Sequence, residues 1–240
     1  LGREERITAD DRFHLGSCTK AMTATLIARL AERGQLSWST TLADGLPALR
    51  QDMLPEYHSI TVGELLRHRA GLPDDRMPDW IHQRARSLAG PLPQQRRTLV
   101  QYTLAQPPAA PPGQQMIYSN RGYVVAAALA EHATGKPWEE LMRELLFEPL
   151  GMKSAGFGPP GSADELDQPR GHMRINERLV PVQPNSPMAD NPACTGPAGN
   201  VHCAIQDWGR FAALHLEAAR GAPRLLSAES FARLHADDPP

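Results

Sequence analysis

Four polar side chains in two short segments of this 240-residue chain have the types and spacing of an activated serine nucleophile. Ser17 and Lys20 are three residues apart, so a helix places them on one face and lets the amine reach the hydroxyl. Backbone N–H groups at the start of such a helix lie close to an oxyanion formed at the serine. Much later in the chain, Tyr118 and Asn120 add a phenol and an amide. Together these residue types predict covalent catalysis by Ser17.

Each of these residues also has an ordinary structural interpretation. Serine is a common N-cap residue, so Ser17 could do no more than begin a helix. Lys20 could be a solvated side chain, Tyr118 a core aromatic, and Asn120 another helix cap. His68, in a turn that follows a short helix, is more typical of a hydrogen-bonded structural histidine than of a catalyst. The combination of the two segments is what favours the catalytic interpretation.

The composition argues against several classes of partner and cofactor. The formal net charge is −2 and both signs are mixed along the chain, which does not favour binding to nucleic acid. No apolar run reaches the ~18 residues of a transmembrane helix, and the histidines lack metal-ligand spacing. We therefore expect no cofactor, no metal, and a small-molecule or peptide substrate as the partner. The sequence leaves the oligomeric state open.

The three cysteines do not form a disulfide framework. Cys194 and Cys203 would be able to pair in an exported protein, and free buried thiols are at least as good an interpretation. The nearest approach to a G-x-S-x-G nucleophile elbow, at residues 152–156, lacks its first glycine. That difference argues against an α/β-hydrolase.

Apolar spacing, caps and breakers predict a mainly helical body. Thr61 and Glu64 have the spacing of a capping box at the start of one short helix. Helices are predicted at about residues 17–33, 61–66, 94–105, 122–134, 137–147, 205–219 and 227–235. Strand-like patterns are scarce, and the one predicted hairpin pairs residues 173–175 with residues 179–182.

The stretch from about residue 10 to residue 219 resembles the beta-lactamase-related serine hydrolases, which include class C beta-lactamases, D-alanyl-D-alanine carboxypeptidases and related esterases. The nucleophile helix of that superfamily is matched by FHLGSCTKAMTATLIARLAERGQL. Its His-Thr-Ser-Gly-Leu turn is matched by ITVGELLRHRAGLP, in which Arg69 and Ala70 depart from the motif. Its Tyr-x-Asn segment resembles QQMIYSNRGYVVAAALAEHATGKPW, and its later glycine-containing loop resembles GPAGNVHCAIQDWGRFA.

The resemblance implies a fold and a role for each of the four residues. The fold is the α+β beta-lactamase/transpeptidase-like fold, with residues 1–240 forming one partial domain. Ser17 would be the acylated nucleophile, and Lys20 would help to take its proton. Tyr118 would carry the proton to the leaving group as phenol or phenolate, and Asn120 would hydrogen-bond the substrate carbonyl. We expect the Ser17 hydroxyl to lie within about 4 Å of the Lys20 amine or the Tyr118 oxygen.

One motif of the superfamily is not found in this sequence. A Lys-Thr-Gly or His-Thr-Gly triplet is expected on a strand well after Gly199, and none follows. The stretch His132-Ala133-Thr134-Gly135 precedes that loop and ends a helix, so it is no substitute. We therefore expect a mainly α piece of the fold, with the antiparallel sheet largely absent. In the superfamily, the strand with this motif supplies the second oxyanion N–H. A piece without that strand is expected to be poorly active, because the loss of one oxyanion donor lowers kcat by about 10²–10³.

The leading functional interpretation is a serine hydrolase that forms an acyl-enzyme on Ser17 with an ester or amide substrate. An esterase or peptidase is favoured over a true beta-lactamase, because the resemblance is to the diverse members of the superfamily. A penicillin-binding D-alanyl-D-alanine carboxypeptidase is the alternative, and a non-catalytic homologue used for binding is the third interpretation. A periplasmic or secreted location is expected if a signal peptide precedes Leu1.

Overall fold

The computed structural model of this chain describes residues 4–73 and 80–236, in which helices predominate. The α-helices are α1 (Thr19–Glu32), α2 (Leu42–Gly45), α3 (Val62–Leu66), α4 (Trp80–Arg86), α5 (Leu92–Leu104), α6 (Asn120–Thr134), α7 (Trp138–Met142), α8 (Glu148–Leu150), α9 (Gly196–Gly199), α10 (Ile205–Ala219) and α11 (Ala228–His235). The strands are β1 (Arg12–His14), β2 (Gly156–Phe157), β3 (His172–Ile175), β4 (Arg178–Pro181) and β5 (Val201–Ala204). A 3-10 turn, Gly16–Cys18, precedes α1, and a π-helical turn, Arg143–Phe147, joins α7 to α8.

One hydrophobic core surrounds α1 and α6. The apolar stripe of α1 is buried through Met22, Leu26, Ile27 and Leu30. Helix α6 is buried over most of its length, as expected of a helix built largely from Val, Ala and Leu. It ends at Gly135, whose left-handed backbone (φ 72°) costs a glycine no steric strain. Because α1 and α6 share this core, their packing positions the two segments that carry the candidate residues.

The predicted helices are present, with several differences at their boundaries. Helices α5 and α6 begin at Leu92 and Asn120, each two residues before its predicted start. The helix predicted at 17–33 begins only at Thr19, because Gly16 has a left-handed backbone (φ 53°) and the next residues form a 3-10 turn. The helix predicted at 137–147 continues through the π-helical turn to Leu150. The capping box is confirmed, since Thr61 and Glu64 exchange side-chain and backbone hydrogen bonds at the start of α3.

The strand prediction was incomplete. The predicted hairpin is confirmed, with β3 and β4 paired antiparallel. Strands β1, β2 and β5 were not predicted. Both β1 and β2 pair antiparallel with β5, in the order β1-β5-β2. These strands have two to four residues, which is too short for an alternating pattern to show, and their partners are far away in sequence. The expectation that most of the superfamily's sheet is absent stays a prediction.

Arg96 of α5 forms a buried ionic network with two carboxylates. Its guanidinium donates to Glu131 Oε1 of α6 (3.0 Å) and to both oxygens of Glu139 of α7 (2.9 and 2.8 Å). Glu131 also accepts the backbone N–H of Trp138 (2.8 Å). Burial alone would lower the pKa of Arg96, but the hydrogen bonds to both carboxylates outweigh burial and raise that pKa. The network therefore ties three helices together.

Replacing Arg96 by methionine is expected to lower the free energy of unfolding by about 3–5 kcal/mol, because two carboxylates lose their buried partner. The matched control is Arg97→Met, since Arg97 is the next residue of α5 and is exposed. That control should change the free energy of unfolding by no more than about 0.5 kcal/mol. Urea unfolding followed by circular dichroism measures both. Equal stability of the two variants would contradict the role given to the network.

Candidate active site

Ser17 lies in a short turn between β1 and α1. On the N-terminal side the sheet holds this turn, because the Leu15 N–H donates to Val201 O (2.8 Å). On the C-terminal side the Thr19 N–H donates to the carbonyl oxygens of Gly16 and Ser17. Gly16 adopts a φ of 53°, a conformation that residues with side chains rarely adopt. The turn presents the Ser17 side chain at the surface.

The four residues singled out from the sequence lie together. Ser17 Oγ is 2.7 Å from Tyr118 Oη and 3.2 Å from Lys20 Nζ. The same Lys20 amine donates to Asn120 Oδ1 (2.6 Å) and to the Ala198 backbone oxygen (2.8 Å). Both distances from Ser17 are shorter than the limit of about 4 Å set from the sequence, which confirms the predicted convergence.

These contacts decide against the ordinary structural interpretations. Ser17 Oγ contacts Tyr118 and Lys20 instead of capping α1. Lys20 is not solvated, since only 6% of it is exposed, whereas Tyr118 is 40% exposed and does not belong to the core. Asn120 is the first residue of α6, and its side-chain oxygen accepts from Lys20 rather than from the helix backbone.

Lys20 places a buried positive charge between the serine and the tyrosine. An ammonium group has three N–H donors, and Ser17 Oγ, Asn120 Oδ1 and Ala198 O supply three acceptors for them. The Lys20 nitrogen also lies 4.8 Å from the centre of the Tyr118 ring. Burial strengthens the attraction between this charge and negative charge on a neighbouring oxygen. The arrangement can therefore stabilise a serine alkoxide or a tyrosine phenolate.

His68 supports Tyr118 from the turn that follows α3. Backbone N–H groups on both sides of the tyrosine bond to this histidine, Ile117 to its carbonyl oxygen (2.8 Å) and Ser119 to its Nδ1 (3.1 Å). The rings of His68 and Tyr118 lie 4.5 Å apart. These bonds confirm the hydrogen-bonded structural histidine predicted from the sequence. Its contact with the candidate catalytic tyrosine was not predicted.

Tyr123, one turn into α6, is a second phenol close to Lys20. Its hydroxyl donates to Leu66 O (2.9 Å) and its ring centre lies 5.6 Å from the Lys20 nitrogen. Burial, with a further contribution from the neighbouring Tyr118, raises the pKa of Tyr123 to about 12. Tyr123 therefore stays protonated at neutral pH. Tyr118 is the phenol that contacts the serine oxygen.

A cavity of about 190 Å³ opens beside Ser17. Its lining includes Gly16, Asn120, Arg121, Val124, Thr195 and Gly199. The segment around α9 that forms one side is fixed to α1, since Thr23 Oγ1 donates to Pro197 O (2.8 Å) and Thr19 Oγ1 accepts from Val201 N (3.1 Å). The site thus has a hydroxyl next to a small, partly polar recess held by the helical core.

Comparison with known proteins assigns the fold and the sequence to one family. The crystal structure of a D-stereospecific amidohydrolase from Streptomyces sp. has the same fold, with a TM-score of 0.71 at 24% identity over 92% of this chain and 64% of that one. A family model described as Beta-lactamase matches residues 1–238. The chain belongs to the beta-lactamase family. This finding confirms the resemblance indicated by the motifs.

Relatives of this beta-lactamase-family chain include, by their names, a penicillin-binding protein and a carboxypeptidase. Penicillin-binding protein 4 of Amycolatopsis lactamdurans is 30% identical over 229 residues, which cover 94% of this chain and 57% of that protein. The D-alanyl-D-alanine-carboxypeptidase/endopeptidase AmpH of Escherichia coli (strain K12) is 28% identical over 160 residues, which cover 66% of this chain and 40% of that protein. The chain therefore spans about half the length of these relatives.

The three cysteines of this beta-lactamase-family chain are free thiols. Cys18, next to the candidate nucleophile, is exposed, whereas Cys194 and Cys203 are buried. The sequence left open whether Cys194 and Cys203 form a disulfide or remain free thiols, and in the structure they are free. Burial, and then the nearby Asp207 carboxylate, raises the pKa of Cys203 to about 11. Cys203 is therefore a neutral thiol at pH 7, and the neutral form is a poor nucleophile.

Within residues 4–73 and 80–236, no three His, Cys, Asp or Glu side chains lie close enough together to hold a metal ion. In the same two ranges, no helix combines the length and the apolar character needed to cross a membrane.

Two residues next to the site were not predicted from the sequence. His14 and Asp190 form a hydrogen bond (2.8 Å) directly beside the Ser17 turn. They are 176 residues apart, and no spacing rule relates residues at such a distance. The single available signal was a histidine two residues before the glycine that precedes the nucleophile.

Proposed function

We propose that this chain carries the catalytic centre of a serine hydrolase that forms an acyl-enzyme on Ser17 with an ester or amide substrate. The observation that carries the proposal is the position of Ser17 Oγ, 2.7 Å from Tyr118 Oη and 3.2 Å from Lys20 Nζ. A serine hydroxyl is a weak nucleophile unless an adjacent group takes its proton. Here two groups that exchange protons contact the same oxygen. Membership of the beta-lactamase family supports the proposal, because its members are serine hydrolases.

In the first step, Ser17 Oγ attacks the carbonyl carbon of the substrate while its proton passes to the Tyr118 oxygen. The electron pair of the carbonyl bond moves to the substrate oxygen and gives a tetrahedral oxyanion. When this intermediate collapses, the bond to the leaving group breaks and Tyr118 returns the proton to the leaving oxygen or nitrogen. The Lys20 ammonium stabilises the phenolate form of Tyr118 and keeps its own charge throughout.

Water completes the cycle by the same route in reverse. A water molecule attacks the acyl carbon and gives a proton to the phenolate of Tyr118. Collapse of the second tetrahedral intermediate breaks the bond between the acyl carbon and Ser17 Oγ, and the proton returns to that oxygen. The serine, the tyrosine and the lysine are thereby restored.

Two donors on this chain fit the oxyanion and the substrate carbonyl. The Ser17 backbone N–H has no hydrogen-bond acceptor within the described residues, so it can donate to the oxyanion. The Asn120 side-chain oxygen accepts from Lys20, and its amide nitrogen is a donor, the type of group that binds a substrate carbonyl. Removal of one such donor typically costs about 10²–10³ in kcat.

The alternative is a penicillin-binding D-alanyl-D-alanine carboxypeptidase. The likeness to penicillin-binding protein 4 favours it, because that likeness extends over 94% of this chain. Both functions use the same acylation chemistry and differ in how quickly water releases the acyl group. A non-catalytic homologue is disfavoured, since the contacts among Ser17, Lys20, Tyr118 and Asn120 are all made.

Three probes applied to the chain test this proposal. A fluorophosphonate, which forms a stable adduct with activated serines, is expected to add one probe mass in intact-protein mass spectrometry. An esterase would release nitrophenol from nitrophenyl acetate without a lasting label, and a penicillin-binding protein would keep a fluorescent penicillin as a stable adduct. Ser17→Ala is the matched control. If wild-type protein neither forms an adduct nor releases nitrophenol above the Ser17→Ala level, the proposed function is wrong.

A further inference from the structure

His14, the last residue of β1, connects the Ser17 turn to a separate loop. Its Nδ1 accepts the backbone N–H of Gly16 (3.1 Å), the residue just before the nucleophile. Its Nε2 lies 2.8 Å from Asp190 Oδ1. A backbone N–H can only donate, so Nδ1 must be unprotonated and Nε2 must carry the proton that is donated to the carboxylate. One neutral tautomer of His14 therefore makes both bonds.

Gly16 is the residue at which the Ser17 turn can deform most easily. Glycine has no Cβ, so sterics alone do not keep its backbone at a φ of 53°. The Gly16 N–H donates to the His14 ring, and the Gly16 carbonyl oxygen accepts from the Thr19 N–H. The next peptide carries the Ser17 N–H, which is the proposed oxyanion donor. A rotation at Gly16 would therefore move both the nucleophilic oxygen and that donor.

Asp190 is buried in a way that packing alone does not explain. Its side chain is only 7% exposed, and its Oδ2 is buried with no hydrogen-bond partner among the residues that the structure describes. Oδ1 accepts the Asn191 N–H (2.6 Å) in addition to the His14 ring, and Arg86 holds the Asp190 carbonyl oxygen (2.8 Å). A buried carboxylate with an unsatisfied oxygen lowers stability. A neutral side chain would avoid that loss but would not select the tautomer of His14.

We propose that His14 and Asp190 are a positioning pair for the acylation of Ser17, an inference that rests on the proposed function. Asp190 keeps the proton of His14 on Nε2. The free Nδ1 then holds the Gly16 N–H, and with it the turn that presents the Ser17 hydroxyl and backbone N–H to the substrate. An imidazole with a hydrogen on both nitrogens can still donate to Asp190, but it can no longer accept the Gly16 N–H.

Several charged or titratable groups face His14. Asp190 and the Arg86 guanidinium lie on the loop side, and Arg12 lies two residues earlier on the same strand. His202 lies directly opposite on β5. Burial is the main cause that lowers the pKa of His202, and the charges of Arg12 and His14 lower it further. His202 is therefore mostly neutral at neutral pH.

Two substitutions at residue 14 distinguish the loss of the hydrogen-bond acceptor from the loss of the imidazole ring. His14→Leu removes the acceptor, and the rate of fluorophosphonate labelling of Ser17 at pH 7.5 should fall by about 10- to 100-fold, as expected when a nucleophile is displaced by a fraction of an ångström to 1 Å. His14→Asn supplies a short side-chain oxygen that can accept the Gly16 N–H. It should recover most of the labelling rate. His172→Leu, a change of an exposed histidine on β3, is the control and should label like wild type.

The pH profile provides a measurement that a merely structural role would not change. In wild type and in His172→Leu, the labelling rate should fall toward acid pH, because an imidazole with a proton on both nitrogens cannot accept the Gly16 N–H. In His14→Asn this fall should be absent or reduced, since an amide does not titrate. Asp190→Asn should slow labelling at pH 7.5, because the amide no longer selects the tautomer with a free Nδ1.

The outcomes distinguish this inference from the proposed function. Wild-type labelling rates and pH profiles in His14→Leu and Asp190→Asn would overturn the positioning pair and leave the proposed function standing. A wild-type protein that no probe labels would overturn the proposed function and this inference with it. If His14→Leu does not fold, His14→Asn and Asp190→Asn decide. An unchanged acid limb in His14→Asn together with an unchanged rate in Asp190→Asn would contradict the pair.

Discussion

Replacement of Lys20 by methionine is expected to reduce the rate at which Ser17 is acylated by about 10³-fold or more. The substitution removes the donor to Ser17 Oγ, the bond to Asn120 and the positive charge beside the Tyr118 ring. The phenolate that would take the serine proton then loses its stabilising charge. Methionine keeps an unbranched side chain of similar length in a buried position, so the packing of α1 is retained. Time-resolved labelling with the fluorophosphonate measures the rate.

The chain offers a matched control because it contains only two other lysines. Lys153 is exposed, and Lys153→Met should label at the wild-type rate. Thermal unfolding of both variants separates a catalytic loss from a loss of folded protein. If Lys20→Met is folded and labels as fast as Lys153→Met, then the lysine has no part in activating the serine.

Tyr118→Phe is expected to keep the fold and to lower the acylation rate by about 10²–10⁴, the usual contribution of general acid–base catalysis. The phenylalanine ring keeps the tilted ring contact with His68, and the backbone bonds on both sides of residue 118 do not involve the hydroxyl. Only the oxygen 2.7 Å from Ser17 Oγ is lost. The labelling rate should therefore fall strongly, whereas the melting temperature should change little.

Tyr102→Phe is a suitable control for that substitution. Tyr102 lies on α5, where its hydroxyl accepts from Arg84. The control should label at the wild-type rate. Near-normal acylation in Tyr118→Phe, with Tyr102→Phe equally active, would show that Lys20 activates the serine without the phenol.

Most of the helices of this protein could be predicted from the sequence because their signals are local, whereas α2, α4 and α9 were not predicted. The capping box of Thr61 and Glu64 begins α3 as expected, and the helix predicted at 205–219 has those bounds in α10. Caps, breakers and apolar periodicity act within a few residues of one another. Such signals are independent of the rest of the fold, and they are readable from one sequence.

The small sheet could not be predicted, for the opposite reason. Strand β5 has four residues, all buried, so it shows no alternation between buried and exposed positions. Its partners β1 and β2 lie far from it in the chain. The turn before α1 depends on this sheet, through the bond from Leu15 to Val201, and the start of α1 was therefore predicted two residues too early.

The candidate site was predictable in its chemistry but only partly in its supports. The residue types of Ser17, Lys20, Tyr118 and Asn120 indicate a nucleophile and its proton partners, and the structure brings them within hydrogen-bond distance. The roles of these residues stay predictions until acylation is measured. His68 was recognised as structural but not as the support of Tyr118, because that contact depends on how two distant turns meet.

Peptide-level mass spectrometry of the fluorophosphonate adduct tests the central claim most directly. Ser17 Oγ contacts both Tyr118 and Lys20, whereas the neighbouring Cys18 is an exposed free thiol. We predict that the adduct maps to Ser17, is retained in Cys18→Ala and is lost in Ser17→Ala. An adduct that maps to Cys18, or that survives Ser17→Ala, would contradict the assignment of Ser17 as the nucleophile.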